Sequence, residues 1–362
     1  MTWGLGSSEM YLAGFGLAFA VTAALTPVVR RYALSRHIVD MPTGDRKIHK
    51  RPVAYLGGVA IFVGFLAGIA VLVPFSRQLA ALLLGCAILV VVGIVDDRKG
   101  LSPWIKLGFQ FLAAGVALAG GIGITAITNP LGGAVDLTAG RFEVTLGDLH
   151  FHVAPIANIL SLLWMVGLAN TINFLDGLDG LASGVSGIAA VVMFALAVGP
   201  RVNQPITALI AIILAGAAFG FLPYHFYPAR IFMGDSGAYF LGLSLAMLSI
   251  YSGAKLATAA LVLGFPIVDM LWAVTRRLAA HRSPFRADRN HFHHLLLDAG
   301  MDQRQAVLTL YAVTALFGYI ALVSSSIVKL LAFVTLVVAM GCVIAVLVLK
   351  KRLRVRRAGS RD

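Results

Sequence analysis

Apolar residues run almost without interruption through eleven segments of the chain, and polar residues are confined to the stretches between them. Each segment is close to the roughly 20 residues that an α-helix needs to cross the hydrocarbon layer. Because lipid offers no hydrogen bonds to a backbone and the runs do not alternate, the pattern predicts transmembrane helices. The predicted spans cover residues 10–29, 53–75, 79–95, 107–127, 153–172, 181–200, 206–222, 238–253, 256–275, 306–326 and 330–349.

Composition supports an all-α polytopic membrane protein. Of the 362 residues 59% are hydrophobic and 12% are charged, which is about half the charged fraction of a soluble domain. We expect one membrane domain over residues 1–349, followed by a basic tail at 350–362 that either contacts anionic lipid head groups or has no further role. The loop 128–152 contains DLTAGRFEVTLGDL, and its alternation predicts a small hairpin.

The basic residues predict the orientation. With eleven spans the termini lie on opposite faces, and 24 of the 29 Lys and Arg residues fall on the face of the C-terminus. The positive-inside rule therefore predicts a cytoplasmic C-terminus and an outside N-terminus. The remaining five basic residues, on the other face, are Arg77, Arg141, Arg201, Lys255 and Lys329.

The unusual polar clusters all fall in loops on the predicted cytoplasmic face. They are VDDRKGLSPWIKLGFQ (95–110), NTINFLDGLDG (170–180), YHFYPARIFMGDSG (224–237) and RADRNHFHHLLLDAG (286–300). No comparable cluster occurs in the sequence of the opposite loops. We therefore expect one site assembled from four loops.

Asp96 and Asp97 follow the third span directly, at a helix end whose negative dipole disfavours carboxylates. They need compensation from a cation. The structural alternative is a solvated loop end neutralised by Arg98 and Lys99.

The acids of the later loops have alternatives of their own. Asp179 could cap the sixth predicted helix, and Asp235 could cap the eighth, whereas capping leaves Asp176 unexplained. Gly177 permits close approach of the backbone to a ligand. Phe232 is either a filler at the membrane interface or a platform on which a ring stacks.

Five carboxylates on one face would repel one another unless a cation joins them. Carboxylate and amide oxygens are the ligands of Mg²⁺ or Mn²⁺, and Mg²⁺ commonly bridges to substrate phosphates. The cluster therefore predicts a divalent cation and a phosphate-bearing substrate.

The histidines His291, His293 and His294 stand among arginines in the last cytoplasmic loop. A Zn²⁺ site is one alternative, but the neighbouring positive charge favours contact with phosphate or hydroxyl groups. Asp269, inside the ninth span, either has a function or pairs with an arginine or a neighbouring helix, and we leave it outside the candidate site.

Taken in order, these motifs resemble the polyprenyl-phosphate N-acetylhexosamine-1-phosphate transferases, integral membrane enzymes that begin bacterial cell-envelope glycans. The resemblance also rests on RKIHKRPVAYLGG (46–58), PARIFMGDSG (228–237) and SPFRADRNHFHHLLLDAGM (283–301). The last motif looks most like the branch that transfers N-acetylglucosamine 1-phosphate to undecaprenyl phosphate. The resemblance implies UDP-GlcNAc as donor, UMP as leaving product, Mg²⁺ or Mn²⁺ as cofactor, an active site facing the cytoplasm in the bacterial plasma membrane, and no nucleic-acid partner. A homodimer is left open.

The resemblance also assigns roles to residues. The paired aspartates would contact the lipid phosphate, and Asp235 would bind the metal. The segment from Asp176 to Asp179 and the ring of Phe232 would bind the uridine. The histidine motif would contact the sugar or the diphosphate. The implied catalytic residues are Asp96, Asp97, Asp235 and His291; the metal ligands are Asp235, Asp96, Asp97 and Asn173; the substrate-binding residues are Lys47, His49, Lys106, Asn173, Asp176, Gly177, Asp179, Phe232, Arg289, His293 and His294.

The chain departs from the family pattern at two places. Ala54-Tyr55 stands where Pro-Arg is common, and His225 stands where Asn is common, so both departures concern the sugar and nucleotide contacts. A cation or phosphate transporter would place its charges near the bilayer midplane, often in internal repeats, which the sequence does not do. A non-catalytic scaffold would not need five carboxylates on one face.

Overall fold

The computed structural model describes residues 7–41, 52–130, 132–146, 149–200, 202–251, 256–285 and 291–358. Thirteen helices account for most of this part of the chain: α1 (Ser7–Ser35), α2 (Gly57–Leu72), α3 (Arg77–Lys99), α4 (Pro103–Ala119), α5 (Pro155–Leu175), α6 (Leu181–Val198), α7 (Pro205–His225), α8 (Gly234–Tyr251), α9 (Leu256–Val262), α10 (Gly264–Ala279), α11 (Phe292–Asp298), α12 (Gln303–Val323) and α13 (Ser326–Ala358). The strands are β1 (Val39–Asp40), β2 (Val53–Ala54), β3 (Ala126–Thr128), β4 (Ala134–Asp136), β5 (Phe142–Leu146) and β6 (Leu149–Val153).

A helix occupies every one of the eleven predicted segments, so the helical polytopic architecture is confirmed. Among the described residues, seven helices are long and apolar enough to cross a membrane, and a bent pair would make an eighth. The helices α2 and α4 are apolar but shorter, at 16 and 17 residues. The count of eleven spans and the orientation remain predictions.

Two predicted spans are too long. The span 107–127 is wrong beyond Ala119, where α4 ends, because a glycine-rich segment follows in which Gly121 has a φ of 92°. The span 53–75 is wrong before Gly57, because β2 pairs with β1 there and Leu56 adopts a φ of 75°.

The predicted span 256–275 is broken rather than continuous. It forms α9 and α10, which meet at an angle of 77° around Leu263. Pro266 has no N–H with which to continue the hydrogen-bond ladder of α9 into α10. The break aims the C-terminal half of this segment towards the polar loops described below.

The loop before α5 contains a hairpin, as predicted, and a second one beside it. The strands β5 and β6 pair antiparallel from Phe142↔Val153 to Leu146↔Leu149. The strands β3 and β4 form a separate antiparallel pair.

The core surrounds α8, which is buried along almost its whole length. It packs against α2, α3 and α5. A Cβ on Gly58 or Gly93 would fall inside ordinary contact distance of the backbone at the start of α8. These two glycines therefore let the ends of three helices meet, and this meeting point carries the candidate site.

Candidate active site

A lysine held between two carboxylates forms the centre of the site. The Nζ atom of Lys106, in the first turn of α4, lies 3.1 Å from Asp96 Oδ2 and 2.9 Å from Asp235 Oδ2. Asn173, at the end of α5, donates its Nδ2 to Asp235 Oδ1 at 2.8 Å. The structure thus brings four of the predicted site residues together from four different helices. Capping of α8 by the Asp235 side chain is a wrong alternative, because these bonds engage its carboxylate.

Asp97 has a different role from its neighbour Asp96. Its Oδ1 accepts the backbone N–H of Asp235 at 2.8 Å, and its Oδ2 accepts the Ser236 hydroxyl at 2.9 Å. The carboxylate therefore sits at the positive N-terminal end of α8. Asp97 fixes the position of Asp235, whereas Asp96 contacts Lys106 and the N–H of Leu101.

A cavity of about 230 Å³ opens beside this cluster. Lys106, Asn173, Arg277 and His291 are among the residues that line it. Polar groups from α4, α5, α10 and the segment before α11 therefore face one space.

Asp179 anchors a neighbouring loop instead of capping a helix. Its Oδ2 accepts the N–H of Ala229 at 2.9 Å. The helix α6 begins at Leu181, and its N-cap position is occupied by Gly180, which has no side chain with which to cap it. The capping alternative is therefore wrong, and Asp179 ties the start of α6 to the loop that carries Phe232.

Asp176 is partly buried next to His225. The Oδ1 atom of Asp176 lies 3.6 Å from His225 Nε2, and the other ring nitrogen of His225 lies 3.1 Å from Ser183 Oγ. Burial, together with the charges of Asp235 and Asp97, raises the pKa of Asp176 well above its usual range. In this arrangement Asp176 faces protein groups.

The two departures from the family pattern lie around Phe232. Its ring centroid is 6.0 Å from that of Tyr55 and 6.4 Å from that of His225. Its N–H donates to the carbonyl of Ala54 at 2.8 Å. A change at 54–55 or at 225 therefore alters the surroundings of the same aromatic ring.

His291 bridges two charged residues. Its Nδ1 lies 3.0 Å from Asp269 Oδ2, and its Nε2 lies 3.2 Å from Arg277 Nη2. Asp269 pairs with this segment, as one of its two alternatives predicted. Sequence reasoning missed Arg277 and left Asp269 outside the site, although an intramembrane carboxylate near a span end was a usable signal.

His293 is buried between its neighbours. Its ring lies parallel to that of His291 with centroids 5.5 Å apart, and the His294 centroid is 4.5 Å away. Within the described residues, neither ring nitrogen of His293 has a hydrogen-bond partner. Burial lowers the pKa of this imidazole to about 3, and a Cβ on Gly177 would collide with the ring. Lys47, His49 and Arg289 lie outside the described residues.

The donor set can be tested against a divalent cation. Across the part of the chain that is described, no three His, Cys, Asp or Glu side chains are grouped as metal ligands. Two carboxylate oxygens, from Asp96 and Asp235, nevertheless converge on one cationic centre, the ammonium of Lys106. Two carboxylates beside an amide fit an Mg²⁺ site completed by water and substrate, whereas both oxygens of Asp97 are already engaged.

Comparison with known proteins agrees with this geometry. The family described as glycosyl transferase family 4 matches residues 79–253, a range that includes Asp96, Lys106, Asn173 and Asp235. The chain is 31% identical over 319 residues to the probable undecaprenyl-phosphate N-acetylglucosaminyl 1-phosphate transferase of Bacillus subtilis, covering 86% of this chain and 84% of that protein.

Two further relatives extend the comparison. The decaprenyl-phosphate N-acetylglucosaminephosphotransferase of Mycobacterium tuberculosis is 32% identical over 338 residues, covering 85% of this chain and 80% of that protein. The undecaprenyl-phosphate alpha-N-acetylglucosaminyl 1-phosphate transferase of Pasteurella multocida is 33% identical over 319 residues, covering 84% and 83%. The chain therefore belongs to glycosyl transferase family 4, as a membrane phosphotransferase of the polyprenyl-phosphate N-acetylhexosamine-1-phosphate transferase type.

Proposed function

We propose that the chain transfers N-acetylglucosamine 1-phosphate from UDP-GlcNAc to undecaprenyl phosphate, releasing UMP. The observation that carries the proposal is the convergence of Asp96, Lys106, Asn173 and Asp235 beside a cavity that also holds Arg277. The names of the relatives supply the donor sugar and the lipid. The product begins a cell-envelope glycan, and the reaction takes place at the cytoplasmic face of the bacterial plasma membrane.

Phosphoryl transfer depends chiefly on positioning and on neutralising phosphate charge. Lys106 and Arg277 offer two cationic groups in one cavity, and these would hold the diphosphate of the donor and the phosphate of the lipid. The acceptor phosphate has a second pKa of about 6 and is mostly ionised at neutral pH. The aspartates therefore position groups, and deprotonation of the acceptor adds little.

Asp96, Asp235 and Asn173 would hold Mg²⁺ or Mn²⁺ when it is bound. The cation would supply charge neutralisation at the diphosphate oxygens. Lys106 contacts both carboxylates and lines the cavity, so its ammonium would also be available to bind phosphate.

The nucleotide would lie towards the other side of the site. Phe232 is a ring of the loop 226–233 that Tyr55 and His225, the two departures from the family pattern, both approach, and Asp179 fixes that loop. Gly177 leaves room for the ring of His293, and Gly180 leaves room for the ring of Phe226, so these glycines pack against protein side chains. The uracil ring would stack on Phe232.

The role of Asp96 can be tested through its pH dependence. Asp96→Asn should lower the rate at every pH and leave the shape of the pH–rate profile unchanged. Loss of the acidic limb of the profile, with unchanged metal affinity, would instead identify Asp96 as a general base.

The reaction itself is tested with purified protein in detergent. UMP release is followed with UDP-GlcNAc, UDP-GalNAc and a UDP-6-deoxy-N-acetylhexosamine, each with and without undecaprenyl phosphate or decaprenyl phosphate, in Mg²⁺ or in a chelator. We expect release only with UDP-GlcNAc, lipid and metal together. Release with a different donor would replace GlcNAc by another N-acetylhexosamine, and no release with any donor would refute the proposal. A homodimer stays a prediction.

A further inference from the structure

Asp269, His291 and Arg277 form a buried chain of polar contacts behind the cavity. Asp269 is 2% exposed, His291 is 7% exposed and Arg277 is 5% exposed. The imidazole of His291 lies between the carboxylate of Asp269 and the guanidinium of Arg277, with one ring nitrogen facing each. A buried carboxylate and a buried guanidinium are thus linked through one imidazole ring.

The partners of His291 determine which nitrogen carries its proton. A guanidinium has only N–H donors and accepts no hydrogen bond. The Nε2 atom that faces Arg277 at 3.2 Å must therefore accept. The proton of the neutral ring then resides on Nδ1, from which it is donated to Asp269 Oδ2 at 3.0 Å.

Asp269 also holds the backbone of the same segment. Its second oxygen, Oδ1, accepts the N–H of Phe292 at 2.7 Å. Both oxygens of one carboxylate on α10 therefore attach the first residues of α11. An asparagine of the same size has one acceptor oxygen, so it can satisfy one of these two donors and not both.

Arg277 is oriented from several sides and faces the reaction space. Its Nη2 donates to His291, its Nη1 donates to the Pro284 carbonyl at 2.5 Å, and its guanidinium lies 5.3 Å from the Phe174 ring centroid. The same residue lines the cavity beside Lys106. Its charge is thus aimed by the ring that Asp269 orients.

We propose that Asp269 is a positioning residue: it fixes the Nδ1–H tautomer of His291, and through that ring it aims Arg277 at the anionic substrate. The inference rests on the proposed function for the identity of that substrate. It also gives His291 a linking role, because both of its ring nitrogens are engaged.

The tautomer is measured without any substrate. The purified chain, labelled with ¹⁵N-histidine in lipid, is compared with the variant His291→Gln, and the signal that disappears belongs to His291. We expect an Nδ1–H ring in the wild type and a changed signal in Asp269→Asn. An Nε2–H ring in the wild type would overturn the proposal, whether or not Asp269→Asn folds.

The catalytic consequence is measured with a double-mutant cycle on UMP release. We expect Asp269→Asn to lower kcat/KM about tenfold to a hundredfold, the range reported when a partner that orients a functional histidine is lost. In the His291→Gln background the same change should cost no more than about twofold, since independent sites add and coupled ones do not. Full multiplication of the two losses would show that Asp269 acts independently of His291 and would overturn the proposal.

A matched control is available on the next helix. Asp302 caps α12 through the N–H of Gln305, and Asn is also a good capping residue. Asp302→Asn should leave UMP release and the His291 signal unchanged. If the wild type released no UMP, the proposed function would fail, and the ¹⁵N measurement would still decide the role of Asp269.

Discussion

Replacement of Gly93 by alanine tests whether the site depends on the close contact between α3 and α8. Gly93 lies one turn before Asp97. A Cβ built there would lie 2.7 Å from the carbonyl carbon of Asp235 and nearer still to the backbone of Ser236. These are backbone atoms, so no side-chain rotation can relieve the collision.

The required movement sets the expected magnitude. Ordinary contacts begin near 3.4 Å, so the two helices must separate locally by about 1 Å, and a displacement of that size can cost about a hundredfold in rate. Overpacking should also cost about 1–3 kcal/mol of stability. The movement acts on the bonds from Asp97 to the N–H of Asp235 and to Ser236, so Lys106 would no longer meet both of its carboxylates.

The assay compares UMP release and thermal unfolding for three glycine-to-alanine variants. Gly115→Ala on α4 is the control, because a Cβ there meets nothing within 4 Å, and alanine is the better helix former. Gly85→Ala on α3 is the intermediate case, since its Cβ would lie 3.1 Å from the Ala113 carbonyl oxygen. Activity should fall in the order Gly115→Ala, Gly85→Ala, Gly93→Ala. Equal activities for Gly93→Ala and Gly115→Ala would refute the dependence of the site on this contact.

Three further predictions concern charged residues of the site. Lys106→Met should lower the rate of UMP release about a hundredfold or more, the usual cost of losing one preorganised charged group. Added Mg²⁺ should raise the melting temperature of this variant more than that of the wild type, and equal stabilisation of the two proteins would contradict the prediction. Asp179→Ala should raise the KM for UDP-GlcNAc about tenfold because the Ala229 amide loses its acceptor, and Asp179→Asn, which keeps an acceptor, should restore most of it. Burial raises the pKa of Asp176, so the folded chain keeps a proton that the unfolded chain releases above pH 3.8. The stability of the wild type should therefore fall with rising pH relative to that of Asp176→Asn. If the melting temperatures of the two proteins change in parallel from pH 5 to about 8, the prediction is refuted.

The sequence predicted the helices well because their signal is local. Runs of apolar residues need only the absence of water to become helices, and each predicted segment contains one. The ends were harder, since they depend on what the chain meets next. Residues 120–127 are as apolar as a span, yet glycine backbones turn them into a loop and β3.

The sequence predicted which residues form the site, but it did not predict the different contacts that each of them makes. Counting of basic residues placed Asp96 and Asp97 together on one predicted face, and the sequence of two adjacent aspartates does not distinguish their roles. The capping alternatives for Asp179 and Asp235 failed for the same reason: each carboxylate bonds to a partner 50 or more residues away. Such partners depend on packing between helices, which a one-dimensional pattern does not encode.

The adjacent aspartates show how a membrane protein can build a polar site from helix ends alone. Successive residues of a helix point about 100° apart, so Asp96 reaches α4 while Asp97 reaches the start of α8. Two adjacent aspartates of α3 therefore connect it to both α4 and α8. Because both carboxylate oxygens of Asp97 hold the start of α8, Asp235 is held in place to contact Lys106. Asp96 provides the second carboxylate that contacts Lys106. Exchanging the roles of the two aspartates would require α3 to rotate by the same angle, which the contact at Gly93 forbids.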